Sequence, residues 1–263
     1  MPAPAFPTFG LPHLAILAAV VGSGVALAAL ARRRPELAPA IRLALAAVIV
    51  ISALAGFADA LATGAVRPPH GLPLDLCDVV LWVAVYALVS ARPWALEFAY
   101  YLGLAGSGMA LLTPDVGAEL PSWAAAQFFL THGGVVAAVL FLVGTGAFHP
   151  RPGAWWKVFG WVNAYAAAVA LFDAHFGTNY MYLREKPPSA SLLDLLGPWP
   201  WYVLAAEPVA LLLLLALDAP FRWSRAPRLA RASSSRSAAA GEDHSAPGSL
   251  SRGEHRGGHP WRR

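Results

Sequence analysis

Cys77, Asp78, Glu97, His132, Asp173 and Glu207 are the residues whose chemistry stands out, because each falls within or at the edge of an otherwise apolar run. Asp59, Asp75 and His175 share that position. A charge at the centre of a membrane-spanning helix costs about 2.5–3.5 kcal/mol, so such residues usually turn to a bundle interior and mark a site. A thiol with an imidazole base is the pairing of nucleophilic catalysis. Carboxylates with no lysine or arginine at their depth suit a proton- or cation-coupled transporter. Cys77 is the only cysteine, so an intrachain disulfide and a CxxC-type thiolate cluster are excluded.

Each residue also has a plainer structural reading. Asp75 and Asp78 begin a helix just after Pro73, where carboxylates complement the positive end of the macrodipole. Asp59 and His175 lie near interfaces, where water solvates them. Glu97 reads equally as a neutral acid bonded to a neighbouring helix. Glu207, followed by Pro208, reads as one bonded near the carbonyls that proline leaves unpaired. A lone thiol in an apolar helix commonly packs as a small hydrophobe. His132 lies between Thr131 and the pair Gly133 and Gly134, which permit close helix approach, so it reads either as an imidazole bonded across a tight interface or as the base for Cys77.

The elements that hold these residues are membrane helices. The 263 residues are 57% hydrophobic and 13% charged, with a mean hydropathy of +0.53. Several separate runs reach the ~20 residues that a bilayer core of ~30 Å demands. The expected spans are 11–31, 38–61, 74–90, 94–113, 123–145, 155–176 and 199–217, an all-α polytopic bundle of about seven transmembrane helices occupying residues 1–221. The first run lacks a preceding basic region and is followed by Arg32, Arg33 and Arg34, so it is expected to be a retained span. Those arginines, Arg92, Arg151 with Lys157, and the Arg-rich segment after Phe221 fall on one side, which places the C-terminus in the cytoplasm and the N-terminus outside. Tryptophans gather at the expected ends, as membrane anchors do.

The net charge of +4 belongs to the tail. From Phe221 onward nine arginines face three acids, whereas the rest of the chain is slightly negative, so the basicity is not the footprint of a nucleic-acid-binding domain. Residues 222–263, rich in Ser, Arg, Gly and His without apolar periodicity, are expected to be disordered. Their membrane-proximal arginines suit anionic inner-leaflet lipid.

Four separated segments, Leu72-Pro73-Leu74-Asp75-Leu76-Cys77-Asp78, Thr131-His132-Gly133-Gly134, Gly177-Thr178-Asn179-Tyr180-Met181-Tyr182-Leu183 leading to Lys186-Pro187, and Gly197-Pro198-Trp199-Pro200-Trp201-Tyr202, carry a likeness. Through them the membrane portion resembles the YwaF-like family of bacterial integral membrane proteins, itself similar to a eukaryotic transmembrane family of cysteine-dependent phospholipid acyltransferases. The resemblance implies Cys77 as acyl-accepting nucleophile and His132 as general base, in a cell-membrane protein whose substrates are lipids and which needs no cofactor or metal. Asn179 or Tyr180 would then donate to the oxyanion, and Asp173 would orient His132 or another polar partner. Relatives often carry histidine at the position of Asp75, so a second imidazole is missing here.

Two rival readings stand beside it. A coupled transporter would use Asp59, Asp78, Glu97, Asp173 and Glu207. A metal-dependent seven-helix lipid hydrolase would use Asp and His ligands, although Asp173 and His175 point to different helix faces and no span carries His-x-x-x-His. The last span has no lysine for a retinal Schiff base.

Overall fold

The computed structural model describes residues 8–116, 121–146, 148–187 and 191–242, with side chains through Arg222. Every regular element among them is helical, the single bridge between Arg67 and His70 aside. The α-helices are, in order, α1 (Leu11–Arg33), α2 (Ala38–Ala62), α3 (Leu76–Ser90), α4 (Pro93–Leu102), α5 (Gly108–Leu112), α6 (Trp123–Gly144), α7 (Ala154–Phe176) and α8 (Trp201–Glu242), with short 3-10 turns at Pro35–Leu37, Tyr180–Tyr182 and Leu192–Leu196. A π-helical turn, Gly103–Ser107, joins α4 to α5 so that the two run as one span.

Local sequence sets the boundaries. Proline in the first turn opens α1, α2 and α4, where its missing N–H would have no partner anyway. Ser122 caps α6 by accepting the Ala125 amide at 3.2 Å. Left-handed glycines, Gly153 at φ 77° and Gly177 at φ 72°, bracket α7. At the end of α3, Arg42 of α2 donates to the Leu88 carbonyl at 2.6 Å, so a basic side chain satisfies a carbonyl the helix leaves open.

Five stretches among the described residues are long and apolar enough to cross a bilayer: Leu11–Arg33, Pro35–Ala62, Pro93–Leu112, Trp123–Gly144 and Trp201–Arg222. The expectation of about seven adds α7, 23 residues interrupted by Lys157, Asn163 and Asp173, and α3, apolar but only 15 residues long. Fifteen residues rise about 22 Å, less than a bilayer core. Before α3 starts, Leu72 and Pro73 line a cavity in bent, irregular chain, and such backbone at membrane depth is tolerated where it borders a cavity. The molecule is a polytopic all-helical bundle.

At the centre stands α6, made narrow by glycine. A Cβ on Gly133 would lie 2.7 Å from Val20 of α1, and one on Gly134 3.0 Å from Ile49 of α2. Two helices therefore close on α6 beside His132.

The chain divides into two units, Met1–Phe221 and Arg222–Arg263. The helix that begins at Trp201 runs on to Glu242, so the stretch from 222 to 242, expected to lack structure, is helical. The residues from 243 onward lie outside those described.

Candidate functional site

A cavity of about 580 Å³ opens among α2, α3, α6, the π turn and the segment after α7. Both Cys77 and His132 line it, together with Asp75, Asp78, Ser107, Gln127, Thr131 and Tyr180. Helix α3 begins at Leu76, so Cys77 is its second residue, in the turn whose amides lack helical partners. The same turn is stitched by its carboxylates: Asp78 Oδ2 accepts the Asp75 amide at 3.2 Å. Asp75 occupies the N-cap position and accepts the Met181 amide at 2.7 Å through Oδ1.

His132 projects from the middle of α6. Its Nδ1 lies 2.9 Å from the Phe128 carbonyl one turn earlier, and its ring packs on Phe128 with centroids 4.2 Å apart. A carbonyl only accepts, so Nδ1 carries the hydrogen, and in the neutral ring Nε2 is the basic nitrogen. Among the described residues Nε2 has no hydrogen-bond partner.

Beside it the polar residues of α2 and α6 form a chain. Gln127 Nε2 donates to Thr131 Oγ1 at 3.2 Å, Thr131 Oγ1 lies 2.9 Å from Ser52 Oγ, and Ser52 Oγ donates to the Gln127 carbonyl at 3.5 Å. Gly56 makes room for this: a Cβ there would lie 2.5 Å from Gln127 Nε2. Gln127 also borders a second hollow of about 230 Å³ with Asp59, Asp115, Trp123 and Phe128.

The outer wall is the segment after α7. Tyr180 donates its hydroxyl hydrogen to the Pro69 carbonyl at 2.8 Å and accepts the Leu72 amide at 2.7 Å. Asp173, fully buried, accepts the Thr178 hydroxyl at 2.6 Å and the Tyr180 amide at 3.1 Å. Met181 and Tyr182 follow in the left-handed region at φ 55° and 54°, a conformation that non-glycine residues keep only when neighbours hold it. Tyr182 donates to Asp115 at 2.8 Å; burial, and then this carboxylate, push its phenol up.

This geometry revises several sequence-based expectations. Of the two partners expected for Asp173, His132 or another polar group, the structure gives the second: Thr178 and the Tyr180 amide, while His132 Nδ1 is held by a backbone carbonyl. Tyr180, expected as an oxyanion donor, has its hydroxyl hydrogen committed to the Pro69 carbonyl. Asn179 is exposed and gives its amide to the Glu185 carbonyl at 2.9 Å while accepting from the Arg184 and Glu185 amides. It shapes the loop rather than the cavity.

Glu97 lies away from the cavity, buried in α4, and binds Arg151 through three hydrogen bonds: 2.8 Å from the amide, 2.8 Å from Nε and 2.7 Å from Nη2. It therefore has the arginine partner that sequence reading denied it. Glu207 is half-buried on α8, outside the cavity lining, and Asp59 and His175 are exposed. No group of three or more His, Cys, Asp or Glu side chains arranged to hold a metal occurs among the described residues.

Sequence reading passed over Ser52, Ser107 and Gln127. The available signal was the spacing of Gln127, Thr131 and His132 along one apolar helix, which brings three polar side chains within little more than a turn. It also passed over His13, buried between the Phe9 amide at 2.8 Å and the Leu111 carbonyl at 2.7 Å, and Asp218, buried and bound by the Tyr101 hydroxyl at 2.7 Å.

The model of the TMEM164 family matches residues 8–218. Neither a curated protein nor a solved structure matches the chain. A match over that much of the chain assigns it: this multi-pass membrane protein belongs to the TMEM164 family.

Proposed function

We propose that this member of the TMEM164 family transfers or hydrolyses an acyl group of a membrane lipid, with Cys77 as nucleophile and His132 as general base. The observation that carries the reading is that Cys77 and His132 line one cavity while the bond to Phe128 leaves His132 Nε2 as the basic nitrogen. The motif likeness to the YwaF-like proteins, and through them to cysteine-dependent acyltransferases, supports the same pair.

The steps balance without any further reactant. As Cys77 Sγ adds to the ester carbonyl, its proton passes to His132 Nε2. Proton transfer accompanies attack. Collapse of the tetrahedral oxyanion breaks the C–O bond, and the departing lysolipid oxygen takes the proton from Nε2, leaving a thioester on Cys77. An acceptor hydroxyl, from a lysolipid or from water, then gives its proton to Nε2 and attacks the thioester. The C–S bond breaks and sulfur recovers the proton.

The cavity lies at the end of the bundle formed by the α2–α3 and α7–α8 connections, opposite Arg32–Arg34, Arg42, Arg92 and Arg151. With the basic side inward, it opens toward the outer leaflet of a cell membrane. The transporter alternative loses one of its acids, since Glu97 is paired with Arg151.

The test is turnover of a fluorescent phospholipid by purified protein in vesicles. Cys77→Ala should abolish both turnover and a hydroxylamine-sensitive acyl adduct, and His132→Ala should slow turnover about 10²–10⁴-fold. Full turnover by Cys77→Ala would sink the proposal. Gradient-driven uptake that survives Cys77→Ser would favour the transporter.

A further inference from the structure

The expected oxyanion donors are committed elsewhere, yet a tetrahedral intermediate next to Cys77 needs a hydrogen-bond donor aimed where its charge develops. We infer that the side-chain amide of Gln127 is that donor. The inference rests on the acyl-transfer reading and adds a catalytic residue to it.

Gln127 lines the cavity that holds Cys77 and His132. Its Nε2 carries two hydrogens. One goes to Thr131 Oγ1 at 3.2 Å; the other has no protein acceptor among the described residues. Its orientation is set by other groups. Thr131 accepts from Nε2 and is held in turn by Ser52, whose second contact is the Gln127 carbonyl. Donors and acceptors alternate consistently around this ring when Nε2 is the atom facing Thr131, so the amide is fixed with its donor end at the network.

Gly56 adds an independent constraint. The amide nitrogen sits so close that a Cβ at position 56 would come within 2.5 Å of it and 2.8 Å of Cδ. A glycine in the middle of an apolar helix costs about 1 kcal/mol relative to alanine. Here the missing methyl is what admits the amide to the wall between the two hollows. A half-buried neutral donor held in place before the reaction serves an oxyanion well, since it needs no reorganisation as charge develops. A lysine or arginine there would instead have required burial of a full charge.

The experiment uses the full-length protein in vesicles of neutral phospholipid with a fluorescent acyl chain. It compares native protein with Gln127→Leu, Gln127→Ala, Gly56→Ala and Cys77→Ala. A parallel measurement follows alkylation of Cys77 by iodoacetamide, an SN2 reaction that forms no oxyanion. The expected result is a kcat on the order of 100-fold lower for both Gln127 variants, with KM within about threefold and alkylation unchanged. Gly56→Ala should fall in the same direction, because its methyl displaces the amide while the α2 backbone is kept. Turnover within threefold of native in the Gln127 variants overturns the inference. So does a parallel loss of turnover and alkylation, which would mark Gln127 as a structural residue. Undiminished turnover by Cys77→Ala overturns the acyl-transfer reading itself, an outcome distinct from the other two.

Discussion

Removing Arg151 should destabilise this protein more than neutralising Glu97, although the two form one ion pair. Their surroundings differ sharply: the Glu97 side chain is 5% exposed and that of Arg151 57%. Arg151→Ala strips Glu97 of the two guanidinium hydrogen bonds at 2.8 and 2.7 Å and leaves only the backbone amide on Oε1. Stranding a buried charge in this way costs about 3–5 kcal/mol. In Glu97→Gln the remaining carbonyl oxygen can still accept from the Arg151 amide or Nε, and the guanidinium, already more than half in solvent, relaxes into water. The loss is then that of charge-assisted hydrogen bonds, about 1.5–3 kcal/mol. Thermal or denaturant unfolding in detergent micelles, followed by tryptophan fluorescence, gives the ranking. Phospholipid turnover by the surviving folded fraction should stay near native in both variants, since neither residue lines the cavity. Greater destabilisation by Glu97→Gln than by Arg151→Ala would refute the reasoning. Loss of activity in a fully stable Glu97→Gln would return Glu97 to the list of chemical groups.

Two further variants probe the outer wall. Tyr180→Phe removes the hydroxyl that bridges the Pro69 carbonyl and the Leu72 amide; opening of this wall should become easier by about 1–3 kcal/mol, read as faster hydrogen exchange at Leu72 with the bundle's exchange unchanged. Asp75→Ala should free the Met181 amide and make the Tyr180–Tyr182 turn susceptible to limited proteolysis, whereas Asp75→Asn, which keeps an acceptor oxygen, should protect it. Equal cleavage of the alanine and asparagine variants would show that the Asp75 contact does not hold the loop.

What the sequence revealed and what it hid follow from two kinds of physics. The spans were legible because the cost of burying a peptide chain in hydrocarbon writes itself into long apolar runs. Their ends were legible because Pro39, Pro93, Ser122 and Gly177 announce helix starts and stops. Cys77 and His132 stood out as polar atoms in apolar segments, and both line one cavity. The partner of Glu97 was hidden, because Arg151 lies 54 positions away in a connector and no local period links them. The tasks of Asp173, Asn179 and Tyr180 were hidden for a related reason. Residue type showed that they can donate or accept, but their partners Thr178, Glu185 and Pro69 are backbone or loop groups set by the turn's own path. Gln127 escaped notice because one amide in an apolar helix has an ordinary structural explanation until Gly56, in another helix, is seen to be cut away for it.

Asp75 shows how a change at a motif position can leave a mechanism standing. Relatives of the resembling family often carry histidine there, which invites the view that an acid–base group has been lost beside the thiol. In this structure the position's visible task is to accept the Met181 amide at the helix N-cap. A carboxylate oxygen does that, and so does the unprotonated nitrogen of a neutral imidazole. The property common to both residues is a hydrogen-bond acceptor that ties the outer segment to the turn bearing Cys77. With His132 already oriented by the Phe128 carbonyl, the base needs no second imidazole to fix its tautomer. Aspartate at this position is therefore compatible with the proposed one-histidine mechanism.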